Sequence, residues 1–131
     1  MGAYRFIVLA GISLATGCGR SSSVSQQLQA VGGAATLIRD CQTLLAEQRR
    51  THKDTWSAGD TNLPATVGAL RPQVVQAAHY DGLPVVDIQI SGGFTHRGVL
   101  VILTNTPPGF VPRKSSWRVT KIADGIFEYR E

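Results

Sequence analysis

The sequence predicts an α+β domain in which an N-terminal helix packs on an antiparallel sheet of about five strands, mostly a meander. Three observations carry this reading. Between Ser25 and His52 apolar residues recur at spacings of three and four. After Pro72 they instead alternate or run in short blocks. The connections between most of those blocks are short, which makes consecutive strands antiparallel neighbours.

The elements follow in order. Residues 1–17 stand apart from the domain. Arg5 is the only charge before Arg20, and Phe6 to Ala15 is a ten-residue apolar run. A membrane-spanning helix needs roughly 17–25 such residues to cross about 30 Å of hydrocarbon, so this run is too short to span. It has the proportions of a secretion signal, with a basic start and a small-residue exit. That exit is Ala15-Thr16-Gly17-Cys18. Residues 18–24 then read as a polar tether, and 25–131 as a single domain. From Ser25, the residues Leu28, Val31, Ala34, Ala35, Ile38, Cys41 and Leu45 share one helical face. Gly32-Gly33 interrupts this stripe at about 1 kcal/mol per Gly relative to Ala, so the helix either bends there or starts at Ala34. Arg49, Arg50, His52 and Lys53 close it, where cations suit the helix dipole.

Asp54 to Asn62 reads as connection, with Trp56 as a lid on the core. Pro64 opens a short helix and Pro72 forbids its continuation. Gln73 to His79 is the first strand, followed by a Tyr80-Asp81-Gly82 turn. Val85 to Ile90 alternates, with Val86, Ile88 and Ile90 on one face and Asp87 and Gln89 on the other. Val99 to Thr104 runs apolar without a break, as a central strand buried on both faces does. Asn105 to Ser116 holds three prolines and is loop. Trp117 to Ile122 and Ile126 to Arg130 form a closing hairpin around Ala123-Asp124-Gly125.

Ala15-Thr16-Gly17-Cys18 resembles the lipobox of bacterial lipoproteins, which has small residues before the cut and a cysteine that takes a thioether-linked diacylglycerol. The family usually carries Leu at the first of these positions, where this chain has Ala15, with Leu14 one step earlier. The resemblance implies cleavage before Cys18, lipidation of Cys18 and a membrane as partner. The residue after the cysteine resembles a sorting code in which Asp favours the inner membrane. Gly19 in that place implies the outer membrane, with the domain facing the periplasm.

Cleavage would leave 114 of the 131 residues, enough for one ordinary domain. Loss of Arg5 would leave 12 of the 13 basic residues against 9 acidic ones. This mild excess favours anionic headgroups, at about 1 kcal/mol per basic residue held at the surface. It is too small and too dispersed for a nucleic-acid partner. With Cys18 lipidated, Cys41 has no cysteine to pair with, so the domain must be stable without a disulfide.

The loops hold the candidate chemistry. In Gly92-Gly93-Phe94-Thr95-His96-Arg97-Gly98, the glycines allow close backbone approach, while Phe94, His96 and Arg97 offer a ring, a titratable group and a fixed cation. Such a turn either grips an anionic or planar ligand, or is hairpin geometry with Phe94 in the core and His96 bonded to backbone. In the Pro-rich loop, Phe110, Arg113 and Lys114 suit docking on a protein, a glycan or a lipid headgroup. The alternative is a solvated crossover stiffened by proline. Cys41 is a nucleophile if a histidine, His79 or His96, lies beside it. Its place on the apolar stripe makes it core filler instead. His52, His79 and His96 have no metal-ligand spacing, the acidic residues form no pair on one element, and no glycine loop with a Lys is present to cradle phosphate. The sequence therefore calls for no metal and no cofactor.

From Leu63 onward the chain resembles small secreted bacterial proteins of no established function. The shared features are Leu63-Pro64, Leu70-Arg71-Pro72, the Gly92 to Gly98 turn, and Asp124-Gly125-Ile126-Phe127. That resemblance implies the fold and carries no activity. Two functions stay open. One is a membrane-anchored envelope lipoprotein serving as a non-enzymatic accessory or interaction module, with another envelope protein as partner. The other is a small ligand-binding or hydrolytic domain using His96, Arg97 and Cys41.

Overall fold

A computed structural model describes residues 23–91, 96–113 and 117–131. Its elements are α1 (Val24–Ala30), α2 (Ala34–Thr51), β1 (Thr55–Ser57), α3 (Ala65–Ala69), β2 (Val74–Tyr80), β3 (Leu83–Ser91), β4 (Arg97–Ile102), β5 (Arg118–Ala123) and β6 (Ile126–Arg130). Six antiparallel strands form one sheet in the order β1-β2-β3-β4-β6-β5, and the helices complete an α+β fold.

The helical segment splits at Gly32-Gly33. Both glycines have positive φ, +113° and +84°, and Gly33 N–H donates to the Leu28 carbonyl at 2.7 Å, closing α1. Because the chain changes direction there, the two helices set their inward faces independently. Leu28 is buried in α1, while Leu37, Cys41 and Leu44 are buried in α2. The stripe expected through Leu45 is therefore rotated by one residue, and Leu45 lies on its flank. The domain also starts earlier than expected. Val24, placed above in the tether, is fully buried, and Ser23 caps α1 through a reciprocal bond pair with Gln26.

Asp40 links α2 to α3. Its carboxylate accepts from Thr66 Oγ1 at 2.6 Å and from Thr66 N–H at 3.3 Å, capping the short helix from outside. Asp40→Ala should cost about 1.5–3 kcal/mol, the range for a bond to a charged acceptor. Urea unfolding would measure this, and a loss below about 0.5 kcal/mol would mean α3 does not depend on that bond.

The segment expected as connection contains β1, which is paired to the outer edge of β2 through Trp56↔Val75. Only Trp56 in this strand is buried. The three-residue edge strand leaves no alternation long enough to read from sequence. Beyond it, Ser57 N–H donates to Asp60 at 2.8 Å and Lys53 lies 3.2 Å away. Chiefly through the Ser57 bond, and then Lys53, the Asp60 carboxyl is held below its usual range.

The meander holds from β1 to β4 and then breaks. β5 sits at the edge, and β6 returns between it and β4. Burial explains the choice. Ile126, Phe127 and Tyr129 of β6 are buried, whereas Arg118, Thr120 and Lys121 of β5 are exposed. β4 is central as expected, with Gly98 to Ile102 all buried.

The sheet separates two apolar clusters. Val75, Val86, Ile88, Val99, Val101 and Ile126 pack against the helices and Trp56. On the other face Val85, Leu100, Ile102, Phe127 and Tyr129 pack together, covered by Phe110, Trp117 and Val119. The Asp87 face of β3 is therefore a second core, closed partly by the long loop.

Candidate functional site

β3 and β6 build a polar group into this second core. Asp87 pairs across β3–β4 with Leu100, which in turn faces Phe127 on β6. Asp87 is only 7% exposed, and accepts bonds from both flanking tyrosines. Tyr129 OH donates to Oδ1 at 2.7 Å and Tyr80 OH to Oδ2 at 2.8 Å. Burial, then the Asp87 charge, pushes the Tyr129 phenol well above its ordinary range. Tyr129 lies across Gly98, where a Cβ would overlap its ring. Its ring stacks on Trp117 at 4.9 Å, and Trp117 stacks on His96 at 5.4 Å.

The candidate residues divide around this frame. His96 belongs to the Trp117 side: its Nδ1 is 3.3 Å from Gln89 Nε2 and its Nε2 is 3.5 Å from Glu131. In place of the expected bond from its ring to backbone, the ring has these side-chain partners, while the His96 carbonyl accepts from the Glu131 N–H at 2.9 Å. Arg97 shares its strand parity with Val99 and Val101, on the helix side. It pairs with Glu128 at 2.9 Å, and Arg130 reaches the same oxygen at 2.9 Å. Strand alternation thus sends two adjacent candidates to opposite faces. Phe94 lies outside the described residues.

Cys41 is fully buried on α2 among Leu37, Leu44 and the helix-side strand residues. Burial raises its thiol far above the ordinary value, and the adjacent Asp40 carboxylate adds to this. A thiol so held is an inert packing group. The sheet separates it from the stack that holds His96. His52 caps α2 and His79 lies on β2, so neither joins His96 in one element.

The Pro-rich loop does two things. Phe110 packs onto the second core and is partly buried, so it contributes to the cover of the sheet rather than standing free. Arg113 is exposed, and Lys114 lies outside the described residues. Beneath Thr104 to Phe110 the loop roofs a cavity of about 480 Å³, closed by Ile38 and Gln42 of α2 and by the β5–β6 turn at Asp124-Gly125. Sequence reasoning named the loop but missed the cavity, and with it Gln42, Thr104, Asn105 and Lys121. These residues come from three separated segments, so no local pattern joins them.

Comparison with protein-family models, with curated proteins and with solved structures returned no match for this chain.

Proposed function

We propose that this chain is an envelope lipoprotein, cut before Cys18 and anchored by lipid on that residue, whose domain is a non-enzymatic accessory or interaction module. The observation that carries the reading is Ala15-Thr16-Gly17-Cys18 directly after a ten-residue apolar run. The buried Cys41 supports it, because it leaves Cys18 as the cysteine available for acylation. The short span from Cys18 to the Ser23 cap supports it as well. At about 3.3–3.6 Å per residue, that tether reaches less than roughly 20 Å, so the domain sits against the bilayer. One acyl chain holds a protein only reversibly, whereas a diacylated, N-acylated cysteine carries three chains and stays anchored. With Gly19 after the cysteine, the proposed address is the outer membrane, facing the periplasm.

The interaction module is preferred over the enzyme because His96, Arg97 and Cys41 do not converge. His96 stacks on Trp117, Arg97 pairs with Glu128, and Cys41 is enclosed under α2. Intact-mass spectrometry of the protein from its native membrane tests the anchor. The expected mass is that of a chain beginning at Cys18 with diacylglycerol and one further acyl group, lost in Cys18→Ala. An unlipidated chain cut nearby would overturn the anchor and the tether geometry together.

A further inference from the structure

The cavity under the long loop has the volume of a small-ligand site, which typically holds roughly 300–1,000 Å³. We propose that it binds a neutral glycan, taking one or two sugar rings with their C–H face on Phe110 and their hydroxyls against Gln42 and the loop. The lipid anchor plays no part in this inference.

Charge gives the first argument. Among the described residues, the only ionisable ones lining the cavity are Lys121 and Asp124, and they pair with each other at 2.9 Å. An anionic or cationic ligand would meet no net countercharge there. The hydrogen-bonding groups give the second. Gln42, Thr104, Asn105 and Thr106 line the space, and none of their side chains makes a hydrogen bond to another described residue. Amides and hydroxyls each donate and accept, as sugar hydroxyls do, so the two sets are complementary.

The apolar part of the lining gives the third argument. Ile38, Leu103, Phe110 and Phe127 supply apolar surface beside that polar wall. A sugar ring presents both kinds of surface at once. An acyl chain would strip water from the polar wall and bond none of it, which is unfavourable. The site is also preformed: Pro107 and Pro108 restrict the backbone, and Phe110 N–H closes a turn onto the Pro107 carbonyl at 3.1 Å. Little ordering cost remains for binding.

NMR titration of the full chain in detergent micelles tests this, with N,N′-diacetylchitobiose and maltose as probes and an uncharged tripeptide alongside. Expected are saturable shifts with at least one saccharide, confined to Gln42, Thr104 to Gly109 and Lys121 to Gly125. Asn105→Leu, at an exposed position that leaves the core intact, should weaken that affinity about tenfold. Absence of saturable shifts with both saccharides would overturn the proposal. So would an affinity unchanged in Asn105→Leu, or binding of the tripeptide alone, which would assign the cavity to a protein partner.

Discussion

Gly98→Ala should destabilise the fold by about 3 kcal/mol, at the upper end of what overpacking usually costs. An added Cβ would overlap Tyr129 Oη and Cζ and lie 2.6 Å from the Ile88 carbonyl oxygen. A flexible side-chain end could swing aside, but neither obstacle is of that kind. The Tyr129 ring stacks on Trp117, and its hydroxyl is held by Asp87. Ile88 O belongs to the backbone of β3, whose ladder runs alongside. Gly59→Ala is the control, since a Cβ there meets nothing within 4 Å and its φ is not positive. Chemical denaturation of both variants decides the matter. A Gly98→Ala loss no larger than that of Gly59→Ala would show that Tyr129 does not lie across β4.

Asp87→Ala should cost about 2–3 kcal/mol, because it removes the charged acceptor of two hydroxyls, that of buried Tyr129 and that of the partly covered Tyr80. The same cluster sets an alkaline limit. Tyr129 titrates above the ordinary tyrosine value when folded, chiefly through burial and then through the Asp87 charge. A group raised on folding contributes stability that is complete below its unfolded value, about 10, and is lost as pH climbs toward the folded one. Unfolding free energy should therefore fall above pH about 10, and the fall should be shallower in Tyr129→Phe. Equal slopes in the two proteins would place the alkaline sensitivity elsewhere.

These two sites show which information is local. The turns at Asp81-Gly82 and Asp124-Gly125, the alternation of β3 and the apolar block of β4 were legible because each depends on neighbours a few residues away. β1 was not, since a three-residue edge strand is made by its partner β2 rather than by its own pattern. The Asp87 side of β3 read as a polar face because alternation reports only that the faces differ. What covers the second face is Phe110 and Trp117, both brought there by a loop. Likewise, His96 and Arg97 are adjacent in sequence, and strand geometry separates their side chains.

The pattern that carries the proposed address is confined to residues 5–19 and is read from neighbouring residues without the fold. The α+β class was also set by sequence, through the change from helical to alternating periodicity near Pro72. Tertiary structure decided the order β4-β6-β5, the second core and the cavity under the loop. Each of these joins segments far apart in the chain. Such contacts are chosen by which strand buries the most apolar surface and which loop can cross to cover it, and local patterns do not encode that competition.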